Sequence, residues 1–378
     1  VGKKLNIVIN YSYDENWIGG TYYIQNLIHA LQQLNDAEKP FLHIKSSDND
    51  AVEKLYILTQ YPYLKKFTPY SQITKLQRGI NKISKIICKT NIFSLYKTFD
   101  LEFPGSFSEN KYFKEKLFWI PDFQEKYLPH FFSQEEIAAR NKAYEYIKSN
   151  SKFVLFSSKD AKKDFNKYYV NGKPQQFVLN FATYHSKKNL PEAETVLKKF
   201  NINKPYFLCS NQFWAHKNHI VILETIARLK NEKIEILVVF TGKENDYRNP
   251  HYFTFLCNIV EKLNIKDNVK FLGFIDRNDQ IVLLQNCDSI IQPSLFEGWS
   301  TVNEDAKAEN KYIFCSDLDV NKEQLKDYPN KSFFAATDPD NLAMLIKQTT
   351  LDITKIDYSK NLIKFGRDFL NIISEIQK

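Results

Sequence analysis

Short apolar runs alternate with segments of helical period along nearly the whole chain, and they do so in two successive series. The first series opens with a strand pattern over Leu5 to Asn10, followed by a helix over Tyr22 to Gln33 in which Ile24, Leu27, Ile28 and Leu31 share one face. It continues with strands near Phe41 to Ile44, Leu117 to Ile120, Phe153 to Phe156 and Gln176 to Asn180. Helices intervene over Gln134 to Ser149, where Ser133 and Glu136 have capping-box spacing, and from Ser157-Ser158-Lys159-Asp160 to Tyr168. The second series runs Tyr206 to Cys209, Ile234 to Phe240, Val269 to Gly273, Ser289 to Gln292 and Ile313 to Cys315 as strands. Helices are predicted over Asn218 to Leu229, Tyr252 to Leu263 and Asp279 to Asn286. Buried strands that alternate with amphipathic helices specify parallel sheets covered on both faces, here two doubly wound α/β sheets. The polar, Lys-rich stretch from Phe181 to Lys204 reads as a linker with an entry helix, and Tyr358 to Gln377 as a closing helix. Ligands of such sheets bind beyond the carboxyl ends of the strands, so two facing sheets share one cleft.

With 378 residues, each half can bury its own core. An apolar fraction of 43% and a charged fraction of 25% are those of a soluble globular protein, and no run approaches the roughly 20 apolar residues of a membrane span. Lys3-Lys4 leads straight into the first strand without a signal-peptide pattern. Of the five scattered cysteines, Cys209, Cys287 and Cys315 sit in apolar stretches and read as reduced core residues, which places the expected compartment in the cytoplasm. The histidines show no metal-ligand spacing beyond His216 and His219.

The net charge of +8 is concentrated. From Pro62 to Lys97 there are eight Lys or Arg residues and no Asp or Glu, with Ile80, Ile83 and Ile87 at helical spacing between Lys82, Lys85 and Lys89. Two readings stand side by side: a basic amphipathic helix lying on an anionic membrane surface, or a solvated helix packed on its own domain through those isoleucines. Nucleic acid is not expected, because the rest of the chain is near balance and lacks a recognition motif.

Chemistry concentrates in two loops of the second series. Pro293 to Asp305 (PSLFEGWSTVNED) follows the strand at Ser289 to Gln292 and precedes a helix. The unpartnered N–H groups of that helix start and its dipole make an anion site. Glu297 is expected at the mouth of the crevice and Asp305 about two turns further on, an arrangement suited to a phosphate between two polyols. Ser210 to His219 (SNQFWAHKNH) follows the strand at Tyr206 to Cys209, and Lys217 there is a point charge at a strand–helix loop. His219, facing a helix interior, reads as structural.

The first loop resembles the signature of the retaining GT-B glycosyltransferases of family 4, in which Glu297 matches the first carboxylate and Asp305, with Glu304 beside it, the second. The second loop is similar to that family's Arg-Lys-Asn loop, with His216 in the Arg place, then Lys217 and Asn218. The family's other Arg is Gln212 here, so His216, helix N–H groups or another basic residue must supply that charge. Phe271-Leu272-Gly273-Phe274 is similar to the turn whose backbone reads the nucleobase. Gly19-Gly20, expected to tolerate positive φ and a close ligand, resembles the N-terminal glycine loop. Ile120-Pro121-Asp122-Phe123 resembles the His-Asp loop with Pro121 in the His place, leaving Asp122 and His130 as sugar or acceptor contacts.

The resemblance implies a GT-B fold with an acceptor domain over residues 1–182, a donor domain over 183–357, and the 358–378 helix crossing back to the first. It implies metal-independent transfer of a hexose from a nucleoside-diphosphate sugar, of GDP-mannose or another type, to a saccharide or lipid-linked acceptor in bacterial surface polysaccharide synthesis. Glu297, Lys217 and Asp122 would be catalytic. Gly19, Gly20, His216, Asn218, Phe274, Gly298, Trp299, Ser300, Thr301, Glu304 and Asp305 would hold the donor, with the ribose on Glu304 or Asp305. No cofactor or metal is implied, and Asp317-Leu318-Asp319 reads as a loop. The enzyme is expected in the cytoplasm, peripheral on the inner membrane face. A nucleotide-sugar 2-epimerase and a non-catalytic binding subunit of the same fold are the alternatives.

Overall fold

The computed structural model describes all residues except 1–3, 71–73, 90–91, 109–111 and 187–189, and the side chains of all of these except Asn16 and Cys88. Seven strands form the first sheet: β1 (Asn6–Asn10), β2 (Phe41–Lys45), β3 (Leu64–Lys66), β4 (Phe99–Phe103), β5 (Phe113–Ile120), β6 (Phe153–Phe156) and β7 (Gln175–Val178). Six form the second: β8 (Phe207–Ser210), β9 (Val238–Thr241), β10 (Val269–Phe271), β11 (Ser289–Gln292), β12 (Tyr312–Ser316) and β13 (Lys331–Phe334). All neighbours pair in parallel, in the orders β3-β2-β1-β4-β5-β6-β7 and β10-β9-β8-β11-β12-β13. Both sheets are doubly wound, as the alternation predicts, and strand order reverses between β1 and β4 and between β8 and β11. At each reversal adjacent loops leave in opposite directions and open a crevice.

Three strands were not legible in the sequence. β4 reads Phe-Asp-Leu-Glu-Phe, and its Glu102 is fully buried. Lys45 Nζ lies 2.8 Å from that carboxylate and Lys116 Nζ 3.5 Å, while Ser106 and Asn10 donate further bonds. The carboxyl is held below its ordinary range: burial opposes the charge, and the bonds from Lys45, Asn10 and Ser106 outweigh it. A satisfied buried charge thus interrupts the apolar pattern of a central strand. β3 is a three-residue lysine-bearing edge, a common way to blunt an open sheet margin. β13, four residues long, is an edge of the second sheet.

The closing helix, Ser359–Ile376, packs on the Ile18–Gln32 helix of the first domain. Leu362, Phe365, Phe369 and Ile373 join Tyr23, Leu27, Leu31 and Phe103 in one core. The contact is close because Gly366 has no side chain: a Cβ there would lie 2.7 Å from the Ala30 carbonyl oxygen. Gly366→Ala is therefore expected to destabilise by about 1–3 kcal/mol, despite the better helix propensity of alanine. Thermal unfolding checks this.

The basic segment contains a helix, Lys75–Cys88, entered through a capping box of Thr74 and Gln77. Of its four isoleucines, Ile80 is half-buried and the other three face outward. Ile83, Ile86 and Ile87 are 60%, 83% and 73% exposed and Leu76 is 75% exposed, whereas the buried positions are Asn81 and Ser84. Asn81 exchanges two hydrogen bonds with the backbone of Phe93, at 2.7 and 2.8 Å, which fixes the helix by its polar side and turns the apolar side outward. Among the described residues, no helix is long and apolar enough to cross a membrane. Cys209, Cys287 and Cys315 are buried free thiols, and burial pushes those of Cys209 and Cys287 up to about 12.

Candidate active site in the interdomain cleft

A cavity of about 370 Å³ lies between the two sheets, at the carboxyl ends of β5, β8, β9 and β11. Its floor is a polar chain anchored in the second sheet. Gln292, fully buried at the end of β11, accepts a bond from Asn211 Nδ2 (2.8 Å) and donates through Nε2 to Glu297 Oε1 (2.8 Å). Lys217 Nζ donates to the same Glu297 oxygen at 2.7 Å, from the loop after β8. Both charged side chains are largely withdrawn from solvent. The two loops predicted to carry the chemistry thus meet at one ion pair, whose carboxylate is oriented by a buried amide. Leu295 N donates to the His216 carbonyl (2.8 Å) and clamps the loops together.

Ser300 caps the Thr301–Ala308 helix, its hydroxyl accepting from Asn303 N at 3.3 Å, so the helix start faces the cavity beside Gly298, Trp299 and Thr301. Gly298 touches the first domain. A Cβ on it would lie 2.7 Å from the Pro121 carbonyl oxygen and 2.9 Å from Asp122 Cβ. Asp122 stands opposite Glu297 across the cleft, its carboxylate accepting from Gln124 N (3.1 Å) and lying 3.9 Å from Arg140. Phe274 lines the cavity after Gly273, whose φ of +69° turns the chain there.

The adjacent acids of the helix start separate. Asp305 lines the cavity. It is bound by Arg277 Nη2 (2.7 Å), His185 Nε2 (2.9 Å) and the Thr183 hydroxyl (2.9 Å). Burial alone would raise its pKa, but Arg277 and His185 hold the carboxyl well below the usual range. Glu304 turns away from the cavity: Lys307 (2.8 Å), Gln324 (2.9 Å) and the Tyr358 hydroxyl bind it, so it anchors the approach to the closing helix. Of the two acids between which the resemblance left the ribose, Asp305 lines the cavity and Glu304 does not.

Three other expectations are corrected. Asn218 does not line the cavity. It adopts a left-handed conformation (φ 55°) and spends its amide on the Pro293 and Ala336 carbonyls, at 3.0 and 2.7 Å. His216 lines the cavity, but burial and then the neighbouring Lys217 and Arg248 push its pKa far below the ordinary value, which favours the neutral ring over a cation there. Gly19 and Gly20 are not a positive-φ turn; they lie in the first helical turn of Ile18–Gln32. Both nevertheless line the cavity. His130 is exposed against Phe131 and lies off the cavity wall, and His219 is fully buried on Phe213, its pKa lowered to about 3.

Residues the motifs did not reveal complete the wall. Gln212, in place of an arginine, donates to the Glu15 carbonyl (2.9 Å). Arg248 reaches the cavity from the loop after β9, which is tied to the loop after β8 by Phe213 N bonding the Lys243 carbonyl (3.0 Å). Its Nη2 lies 3.4 Å from His216 Nδ1, and its guanidinium covers the Trp214 ring at 4.2 Å. A cation absent from one loop is thus present on its neighbour. No local pattern signals it; the pairing of β8 with β9 brings Arg248 to His216, with Asp246 Oδ1 3.4 Å from its Nε.

Two Rossmann-like domains closing on such a cleft form the GT-B arrangement of glycosyltransferases. Residues 192–369, which include the second sheet and much of the closing helix, match the family profile described as glycosyl transferases group 1. A curated relative, the O-antigen chain mannosyltransferase RfbU of Salmonella typhimurium (strain LT2), is 30% identical over 125 residues, 32% of either chain. Protein CapJ of Staphylococcus aureus is 28% identical over 189 residues, 49% of this chain and 44% of that one. The matched stretches span less than half of either curated relative. Among solved structures, a glycosyltransferase from Rickettsia africae ESF-5 aligns over 100% of both chains with a TM-score of 0.67 at 17% identity, a likeness of fold.

Proposed function

We propose that this protein is a retaining glycosyltransferase that moves a hexose from a nucleoside-diphosphate sugar to a saccharide or lipid-linked acceptor in bacterial surface polysaccharide synthesis. The observation that carries the reading is the Lys217–Glu297 pair, oriented by Gln292 at the strand-order reversal of the second sheet. The mannosyl transfer named for the Salmonella relative, and its O-antigen product, support it.

In this reading the donor diphosphate lies between Lys217, Arg248 and the start of the Thr301–Ala308 helix. As the bond from the anomeric carbon to the phosphate oxygen breaks, negative charge grows on that oxygen, and these fixed positive groups stabilise it. The acceptor oxygen bonds the anomeric carbon on the same face, and its proton passes to the departing phosphate. Glu297, drawn off Lys217 by the arriving phosphate, holds donor hydroxyls beside the reacting carbon. Asp305 takes the ribose hydroxyls. No metal has a step in this reading.

A thermal-shift panel with GDP, UDP, dTDP, ADP and CMP, with and without EDTA, tests it. A ligand at 100 times its dissociation constant adds about 2.7 kcal/mol to stability. One strong, EDTA-insensitive shift is expected; no shift with any nucleotide would favour a non-catalytic subunit. Arg248→Gln is expected to weaken binding of the preferred diphosphate about tenfold, as loss of one charge-assisted contact. Calorimetry checks this, and unchanged affinity would assign the second charge to another residue.

The same proposal puts the first domain on an anionic membrane surface. Lys82, Lys85 and Lys89 are exposed on the helix whose isoleucines face outward. Each such cation contributes about 1 kcal/mol near an anionic leaflet. Flotation with phosphatidylglycerol vesicles is expected, with loss in the Ile83→Asp/Ile87→Asp variant. Equal flotation with neutral vesicles, or none with either, counts against it.

A further inference from the structure

All four tryptophans of the chain line the interdomain cavity. Two of them form a stack with Tyr23 that runs from the core of the first domain to the cavity wall. The Tyr23 and Trp119 rings are 4.3 Å apart at 25°, and the Trp119 and Trp17 rings 5.5 Å apart at 27°. Tyr23 is buried, and Trp119 is locked by its indole N–H donating to the Ser157 hydroxyl at 3.0 Å. Trp17, the outermost ring, is 48% exposed. Gly20 seats it, because a Cβ there would lie 2.6 Å from the indole. Gly19, beside it, has nothing within 4 Å of its own Cβ position, so there is room next to the ring.

The cations and carboxylates of the donor reading leave Trp17 without a part in that chemistry, yet the fold holds a large apolar ring at the cleft with one face backed by Trp119. A ligand that covered the ring would take its apolar surface out of water. The surroundings are polar: Asp14 lines the same wall, and Gln212 binds the Glu15 carbonyl one step along the chain from the Trp17 turn. A flat ring inside a polar rim suits a ligand with one apolar face and hydroxyls around its edge. A pyranose has that form. Its ring hydrogens carry partial positive charge, and the indole face carries the negative lobe of the quadrupole.

We infer that Trp17, backed by Trp119 and Tyr23, is the platform on which a pyranose ring of the acceptor stacks. The inference rests on the transferase reading for the word acceptor, and on geometry for the platform. It is tested by saturation-transfer NMR with methyl α-mannopyranoside, methyl β-glucopyranoside and methyl β-galactopyranoside, the protein being saturated with its preferred nucleoside diphosphate. The expected result is transfer to the ring C–H protons of at least one glycoside in the wild type. That signal is lost in Trp17→Ala and recovered in Trp17→Phe, with an unchanged nucleotide-induced thermal shift showing that both variants are folded. In transfer assays the acceptor KM should rise about tenfold in Trp17→Ala.

Equal glycoside signals in the wild type and Trp17→Ala, or none in the wild type, overturn the platform. If Trp17→Ala weakens binding of the nucleoside-diphosphate sugar but not of the diphosphate alone, the ring serves the donor sugar and the assignment to the acceptor falls. If no nucleotide binds the wild type while the glycoside signal still depends on Trp17, the transferase reading fails and the platform stands.

Discussion

Glu297→Ala is expected to lower the transfer rate by roughly 10²–10³-fold while nucleoside diphosphate binding is kept. Glu297 is the one carboxylate held at the cavity floor by both a buried amide and a lysine. In the proposed mechanism its loss removes a contact to the donor sugar that is in place as the anomeric carbon reacts. It also leaves Lys217 without its anionic partner, and a largely withdrawn ammonium left unpaired costs about 1–3 kcal/mol. A bound diphosphate supplies the missing anion. The thermal shift on adding the preferred diphosphate should therefore be larger in the variant than in the wild type, while product formation nearly vanishes. Rate assays beside thermal shifts measure both. Full activity would remove Glu297 from the mechanism, and loss of nucleotide binding would make it a structural support of the phosphate loop instead.

Gly298→Ala should cost about 10²-fold in transfer rate with little change in nucleotide affinity. The added methyl would stand 2.7 Å from the Pro121 carbonyl and 2.9 Å from Asp122 Cβ, well inside van der Waals contact. Neither neighbour is the free end of a flexible side chain, so the first domain must move back. Misplacement of reacting groups by about 1 Å is enough for a loss of this size. The nucleotide contacts of the proposed site come mainly from the second domain, so binding survives. Single-turnover transfer and calorimetry on one preparation separate the two effects. An unchanged rate would mean that the cleft does not act in this closed form.

Much of this architecture was legible locally. Strand and helix periods identify most of the elements, because each depends on the spacing of apolar residues within one or two turns. The Lys217 and Glu297 loops were legible for a related reason: a charged residue in a short loop between a buried strand and a helix start has few places to go. β4 was not, because its Asp100 and Glu102 read as surface charges until Lys45 and Lys116 are seen around Glu102. Arg248 was not, because it lies in a different loop from the one where the resemblance led an arginine to be expected. The isoleucines of the Lys75–Cys88 helix had a clear period, but period alone does not say which side meets the protein.

The sequence by itself determined two doubly wound α/β sheets and the pair of strand-end loops that carry the candidate chemistry, since both follow from short-range patterns of apolar, small and charged residues. The tertiary structure decided the rest. It turned Asp305 toward the cleft and Glu304 toward Tyr358, since successive residues of a helix point about 100° apart and their neighbours come from distant chain. It kept His216 neutral by burial and set Arg248 beside it. It left Ile83, Ile86 and Ile87 in solvent, because the buried positions of that helix are taken by the polar pair Asn81 and Ser84.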